Sequence, residues 1–199
     1  MINLEHMNED LFKAIAETAA EAARVAALVP QDALGGPTPC TEFDLRTLVN
    51  HWILWGSHAL EHRALRQELP EALTEVDFTA TPSWRADFAA ALDRAVAAWS
   101  RPEVWEGDIT SGAGATPAPQ IAALLFADLA LHTWDVARSV GADLDLSDPA
   151  AALLHTGVAE VAEMYRQYDG FAAQVPLPET ASPLHKALAA SGRDPGWTA

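Results

Sequence analysis

Residues 120–141 read QIAALLFADLALHTWDVARSVG, and this stretch decides the fold. Its apolar residues recur at helical spacing, with Ile121, Leu124, Leu125 and Leu131 on the buried side, and Gly141 stands where a C′ glycine would close the helix. Asp128 and His132 interrupt the apolar run. An ionised carboxylate in such a stripe costs on the order of several kcal/mol unless something pairs it. Four positions apart on a helix, Asp128 and His132 stack on one face, about one turn from each other.

Working outward, the rest of the chain also reads as helix. Leu11, Ile15, Thr18, Ala22, Val25 and Val29 mark a first helix over roughly 8–29 that stops at Pro30. Gly35-Gly36-Pro37-Thr38-Pro39 is a loop, after which Asp44 is a good N-cap for a second helix running to about Gln67, before Pro70. A third follows Pro82, with Trp84, Phe88, Leu92, Val96 and Trp99 at steps of three and four. The connection 101–119 is rich in breakers (Gly107, Gly112, Gly114, Pro117, Pro119), and a helix over about 120–140 comes next. Ser147 or Asp148, with Pro149, opens a fifth that ends around Tyr168. Strand signals are scarce. The pattern predicts an all-α bundle, and the long connections 68–81 and 101–119 predict a crossover topology. The expected organisation is one domain over 1–199, with a helical core at 8–169. A Pro-rich tail, 170–199, would pack on it and carry one short helix at Leu184–Ser191.

Composition removes several classes of function. A formal charge of −16 leaves no basic surface for nucleic acid or for anionic lipid. Cys40 is the single cysteine, so no internal disulfide forms, consistent with a cytoplasmic protein. Met1 to Asp10 has neither the basic nor the apolar region of a secretory signal, and the apolar stretch Ile121–Trp134 is too short to span a bilayer.

The chemistry centres on Asp128, His132 and one more histidine. His51 lies among Leu48, Val49, Trp52 and Trp55 on the second helix, so it faces the same core. Two imidazoles and a carboxylate from facing helices make a divalent-metal site with an open position. That donor set suits zinc and also nickel, iron or manganese. Other sets compete. His51, His58 and His62 could form a ladder along the second helix, and His155 could add a fourth ligand. Cys40 precedes a helix N-terminus, where a thiolate is favoured, but no base is identifiable beside it. Gly112-Ala113-Gly114 lacks the strand and lysine of a P-loop, and no His-Glu-x-x-His is present. Trp52, Trp55 and Trp134 are candidates to line a pocket; Asp135, one turn beyond His132, could orient a ligand, with pairing to Arg138, three residues on, as the expected alternative.

Three blocks carry a resemblance. Thr38-Pro-Cys-Thr-Glu-Phe-Asp-Leu-Arg-Thr-Leu-Val-Asn-His51 resembles the opening of the second helix in the DinB/YfiT-like metal-binding superfamily, among relatives of mycothiol-dependent maleylpyruvate isomerase. Asp128 to Gly141 resembles that group's carboxylate-x-x-x-His helix, and Val175-Pro-Leu-Pro through Gly192-Arg-Asp-Pro-Gly-Trp197 resembles the ending of its shorter members. The resemblance implies a DinB-like four-helix bundle with crossover connections, an additional C-terminal helix and an irregular tail. It also implies a divalent metal, commonly zinc, on His51, Asp128 and His132. The isomerase usually presents Glu where this chain has Asp128, and it carries an additional C-terminal domain for which this chain has too few residues.

The implied activity is a thiol-dependent S-transferase or isomerase. Mycothiol would be co-substrate, acting as a metal-bound thiolate on a small electrophile, and no general acid or base is assigned. The alternatives are a hydrolase using metal-bound hydroxide and a non-catalytic bundle that binds a small ligand. The expected partners are the small thiol and electrophile, with no nucleic acid, no membrane and a homodimer as the oligomer.

Overall fold

The computed structural model describes residues 4–111 and 114–199; Gly112 and Ala113, named above in the breaker-rich connection, lie outside the described residues. Helix α1 (Leu4–Leu28) buries Ile15, Ala19, Ala22, Val25 and Ala26 along one side. Helix α2 covers 45–64 and begins at Asp44, whose carboxylate accepts the Thr47 N–H at 2.8 Å. Its middle, Leu54–Ala59, is a π turn between the α segments Leu45–Ile53 and Leu60–Ala64. Helix α3 (Trp84–Trp99) puts Trp84, Phe88, Leu92, Ala95 and Trp99 inside, at the spacing the sequence predicts. Helices α4 (Ala118–Ser139), α5 (Asp148–Gln167) and α6 (Pro183–Ala190) complete the set.

Both α1 and α2 pack against α3 and α4, which closes a four-helix ring. Consecutive helices α1 and α2 are therefore diagonal, as are α3 and α4, and the connections between those pairs cross an end of the bundle. This is the expected all-α crossover architecture, with one difference. Connection 65–83 joins neighbours, although its length suggested a crossover. Its residues are used as wall: Asn50 Nδ2 and Arg46 Nη1 on α2 donate to Asp77 at 3.0 and 3.2 Å, and buried Thr79 accepts from Arg46 at 2.8 Å. A second difference lies between α3 and α4, where Asp108–Ser111 (β1) and Gly114–Pro117 (β2) form an antiparallel hairpin. The sequence showed only breakers there, because four-residue strands with a single buried side chain, Ile109, carry no alternating pattern.

One buried contact sets the register between α2 and α4. Trp52 is fully buried, edge-on to Phe88 at 4.5 Å, and its indole N–H donates to Thr133 Oγ1 at 3.1 Å. Thr133 in turn donates to the Leu129 carbonyl at 2.6 Å. Leaving such an indole N–H unpaired in the core costs about 1–3 kcal/mol. Since Trp52 follows His51 and Thr133 follows His132, this bond brings the two histidines together.

Helix α5 packs on α1 and α4, and α6 packs on α5. Two glycines of positive φ close helices with the same pair of bonds. At the end of α4, Gly141 (φ 71°) donates to Arg138 O at 3.1 Å and Ala142 donates to Ala137 O at 2.9 Å. At the end of α6, Gly192 (φ 83°) donates to Ala189 O at 3.0 Å and Arg193 donates to Leu188 O at 2.9 Å. A Cβ on Gly192 would also lie 2.7 Å from Ala172, so glycine is required there twice over. The second cap turns Arg193 back toward α4. Among the described residues no helix is long and apolar enough to cross a membrane.

Candidate functional site

The loop ahead of α2 is folded around Thr38. Its Oγ1 accepts the Cys40 N–H at 3.1 Å and lies 2.8 and 2.9 Å from the Cys40 and Phe43 carbonyls. This turn places Cys40 and Phe43 over the first turns of α2, where His51 faces α4. His51, Asp128 and His132 each offer a ligand atom, and these atoms lie within 4.8 Å of one another. The His51 and His132 rings meet edge-on at 4.7 Å, and His132 Nε2 lies 3.5 Å from Asp128 Oδ1. Asp128 Oδ2 is buried and has no hydrogen-bond partner.

These groups line a cavity of about 630 Å³. Cys40, Glu42 and Phe43 come from the loop, Leu124 and Leu131 from α4, Val161 and Tyr165 from α5, and Phe171 and Arg193 from the tail. The tryptophans expected at the cavity do not line it. Trp52 and Trp134 are core residues, and Trp55 touches the His51 ring at 6.3 Å. The aromatic wall comes from Tyr165 on α5 and from Phe43 and Phe171, which lie in loops where no helical stripe points to a pocket.

Behind His132 lies Asp135, fully buried, and its partner differs from the one expected. Arg138 binds Asp143 at 2.7 Å and the Trp197 carbonyl at 2.8 Å. Asp135 is held by Arg193, whose Nε donates to Oδ1 at 2.8 Å and Nη2 to Oδ2 at 2.7 Å. Its Oδ2 also accepts from His132 Nδ1 at 3.1 Å and from the Cys40 thiol at 3.3 Å. Burial opposes an ionised Asp135, but the Arg193 guanidinium and His132 outweigh it and hold the carboxyl far below the ordinary range. The ionised carboxylate puts the His132 proton on Nδ1 and turns Nε2 toward Asp128 and His51, as a carboxylate behind a ligating histidine does.

Charge at the front of the site follows from the same neighbours. Burial lowers the His51 pKa, helped by His132 beside it. For His132 burial works in the same direction, but Asp128 and then Asp135 overcome it and raise its pKa well above the usual value. Burial would raise the Asp128 pKa, yet His132 and His51 bring it below the ordinary carboxylate value. Burial, together with Asp128, pushes the Tyr165 phenol up, so it keeps its proton.

The competing sets do not assemble around His51. His62 Nδ1 donates to the His58 carbonyl at 2.8 Å, and the His58 ring stacks on Phe78 at 5.1 Å. His155 is half-buried and does not line the cavity. Contrary to expectation, Cys40 does have an acid–base cluster beside it: Cys40, His132 and Asp135 also place ligand atoms within 4.8 Å. Arg193 already delivers a cation to both Asp135 oxygens, which leaves a second metal there opposed by charge.

Fold and site together define a helical bundle with a histidine–carboxylate cluster on the wall of a cavity open to solvent. No family model matches the chain. It is 28% identical over 180 residues to a protein described as uncharacterized in two strains of Mycobacterium tuberculosis, with 86% of this chain and 91% of that one covered. It superposes on the crystal structure of the mycothiol-dependent maleylpyruvate isomerase with a TM-score of 0.68 at 16% identity, covering 95% of this chain and 90% of that one. A mutant of the same isomerase gives a TM-score of 0.68 at 15% identity, with 94% and 90% covered. The chain thus has the DinB-like all-α fold of that enzyme. Contrary to expectation, the isomerase chain has no room for a whole additional domain beyond what this chain matches, since the superposition spans 90% of it.

Proposed function

We propose that the chain is a metal-dependent enzyme that adds a small thiol to, or isomerises through that thiol, an electrophilic small molecule. His51, Asp128 and His132 would hold one divalent cation, commonly zinc, with nickel, iron or manganese also suited to the donors. The carrying observation is Asp128 Oδ2, a buried oxygen without a partner beside two imidazoles. Such an atom costs about 1–3 kcal/mol when left unsatisfied, and a bound cation removes that cost. The shared fold with a mycothiol-dependent enzyme supports a thiol of that type as co-substrate.

A divalent cation at this position supplies Lewis acidity that favours the thiolate form of a bound thiol near neutral pH. The chain's own residues do the remaining work. Asp135 and Arg193 fix the tautomer and tilt of His132. Phe43, Leu124, Val161 and Phe171 present apolar surface against which the electrophile can rest. Tyr165, kept protonated by burial, offers an O–H to charge that develops on the electrophile. We read the chain as one domain in a cytoplasmic protein.

Metal analysis of protein purified without an affinity tag tests the site: about one ion per chain is expected, and none in Asp128→Ala. Titration of metal-loaded protein with mycothiol tests the chemistry. Absence of thiol binding at millimolar concentration would end this reading in favour of a hydrolase or a ligand-binding bundle.

A further inference from the structure

Resting on the thiol-transfer reading, we infer that the second substrate is an uncharged electrophile, and that Glu42 and Asp169 select it by repelling carboxylates from the cavity. The ionisable side chains that line the cavity besides the histidines, Cys40 and Tyr165 are Glu42, Asp128, Asp169 and Arg193. Arg193 is the single cationic Lys or Arg among them, and its charge is already cancelled: both Asp135 oxygens take its N–H groups at 2.8 and 2.7 Å, and Nη1 donates to Ser191 Oγ at 3.1 Å. A divalent ion, the Asp128 carboxylate and a thiolate cancel one another. What remains is the pair Glu42 and Asp169, exposed side chains from the loop before α2 and from the end of α5. Among the described residues neither forms an ion pair.

The whole chain, at −16, adds repulsion of the same sign at longer range. An anionic substrate therefore meets surplus negative charge at the rim and no free cation inside. An uncharged one meets the apolar surface of Phe43, Leu124, Val161 and Phe171. Two carboxylates within about a Debye length of the substrate path, partly screened, are enough for roughly fivefold discrimination or more.

The reaction used as a test is aromatic substitution. The thiol sulfur forms a C–S bond, the C–Cl bond breaks, chloride leaves with the electron pair, and the thiol proton goes to solvent. Metal-loaded protein with mycothiol is given 4-chloro-3,5-dinitrobenzamide or its charged counterpart 4-chloro-3,5-dinitrobenzoate, each rate divided by its uncatalysed rate. We expect the neutral compound to be favoured at least about fivefold in kcat/KM. The gap should narrow to within about twofold in the Glu42→Gln/Asp169→Asn double variant, and should shrink in wild type as salt is raised.

A binding arm needs no turnover: calorimetric titration of the metal-loaded protein, saturated with mycothiol, with unreactive 3,5-dinitrobenzamide and 3,5-dinitrobenzoate. Binding of the amide in preference to the acid supports charge selection. If it occurs without conjugation of either chloride, selection stands and the thiol-transfer reading falls. Equal binding, tighter binding of the acid, binding of neither, or a gap unchanged in the double variant overturns the inference.

Discussion

Asp128 and Asp135 stand on one helix, on either side of His132, yet they live in opposite surroundings. Asp135 is fully buried and accepts from Arg193 twice, from His132 and from Cys40. Asp128 shares one oxygen with His132 at 3.5 Å and leaves the other buried and unmet. A buried carboxylate with both oxygens paired orients its neighbours and holds the fold together. A half-buried carboxylate at the cavity wall, with one buried oxygen unmet, is poised to receive something. The difference separates the structural half of the site from the half that binds, although sequence shows two similar acids seven residues apart.

The sharpest way to break this contrast is Asp135→Ala. It leaves Arg193 buried without its counter-charge and should lower stability by about 3–5 kcal/mol in urea unfolding. Rescue of most of that loss by the Asp135→Ala/Arg193→Met double variant would confirm that the pair, and not the helix, is responsible. Next in size is Gly192→Ala, which forces a Cβ into the Ala172 backbone at a φ of 83°. A loss of about 2 kcal/mol is expected, together with weaker metal retention as Arg193 is displaced.

A third measurement uses pH. The raised pKa of His132 means its proton competes with a cation for Nε2 up to higher pH than an ordinary histidine allows. Metal affinity, read by competition with a chelating dye, should therefore climb about tenfold per pH unit and level off only above that raised pKa. The smallest effect belongs to Asp128→Ala in metal-free protein. The variant gives up the Asp128–His132 pairing and at the same time relieves the unmet oxygen, two effects of opposite sign, so stability should change by no more than about 1 kcal/mol while metal uptake is lost. A large destabilisation there would show that Asp128 is as structural as Asp135 and erase the contrast.

The helices and the three front residues were legible because they obey local rules. Asp44 caps α2, Gly141 closes α4, and apolar steps of three and four run between. His51, Asp128 and His132 stand out as polar residues at core-facing positions of those same helices. The back of the site was not legible, since Arg193 reaches Asp135 across 58 residues from a Pro-rich tail in which the sequence marks one short helix and nothing that points to α4. The one available signal was Ser191-Gly192-Arg193 after a short helical pattern, a C-terminal cap that can aim an arginine. Asp135–Arg138 was the wrong pairing because helical proximity favours it locally. Burial of Asp135 and the Trp197 carbonyl beside Arg138 decide otherwise. The cavity walls escaped for a similar reason: Phe43 and Phe171 lie in loops, and only the folded tail brings Phe171 to Tyr165 at 4.9 Å.

The π turn at Leu54–Ala59 gives α2 two jobs that a uniform helix would have trouble combining. One surplus residue shifts the later side chains by about 100° of azimuth relative to an uninterrupted α-helix. Upstream of it the helix turns His51 to the cavity. Downstream, Leu60 and Ala64 enter the core, and the Leu60 carbonyl receives the Trp99 indole N–H at 2.9 Å. Removing one residue inside 54–59 would rephase the second half against α3 and leave the first half aimed as before. The turn works as a gear between a half that serves chemistry and a half that serves packing, and it lets the two vary separately.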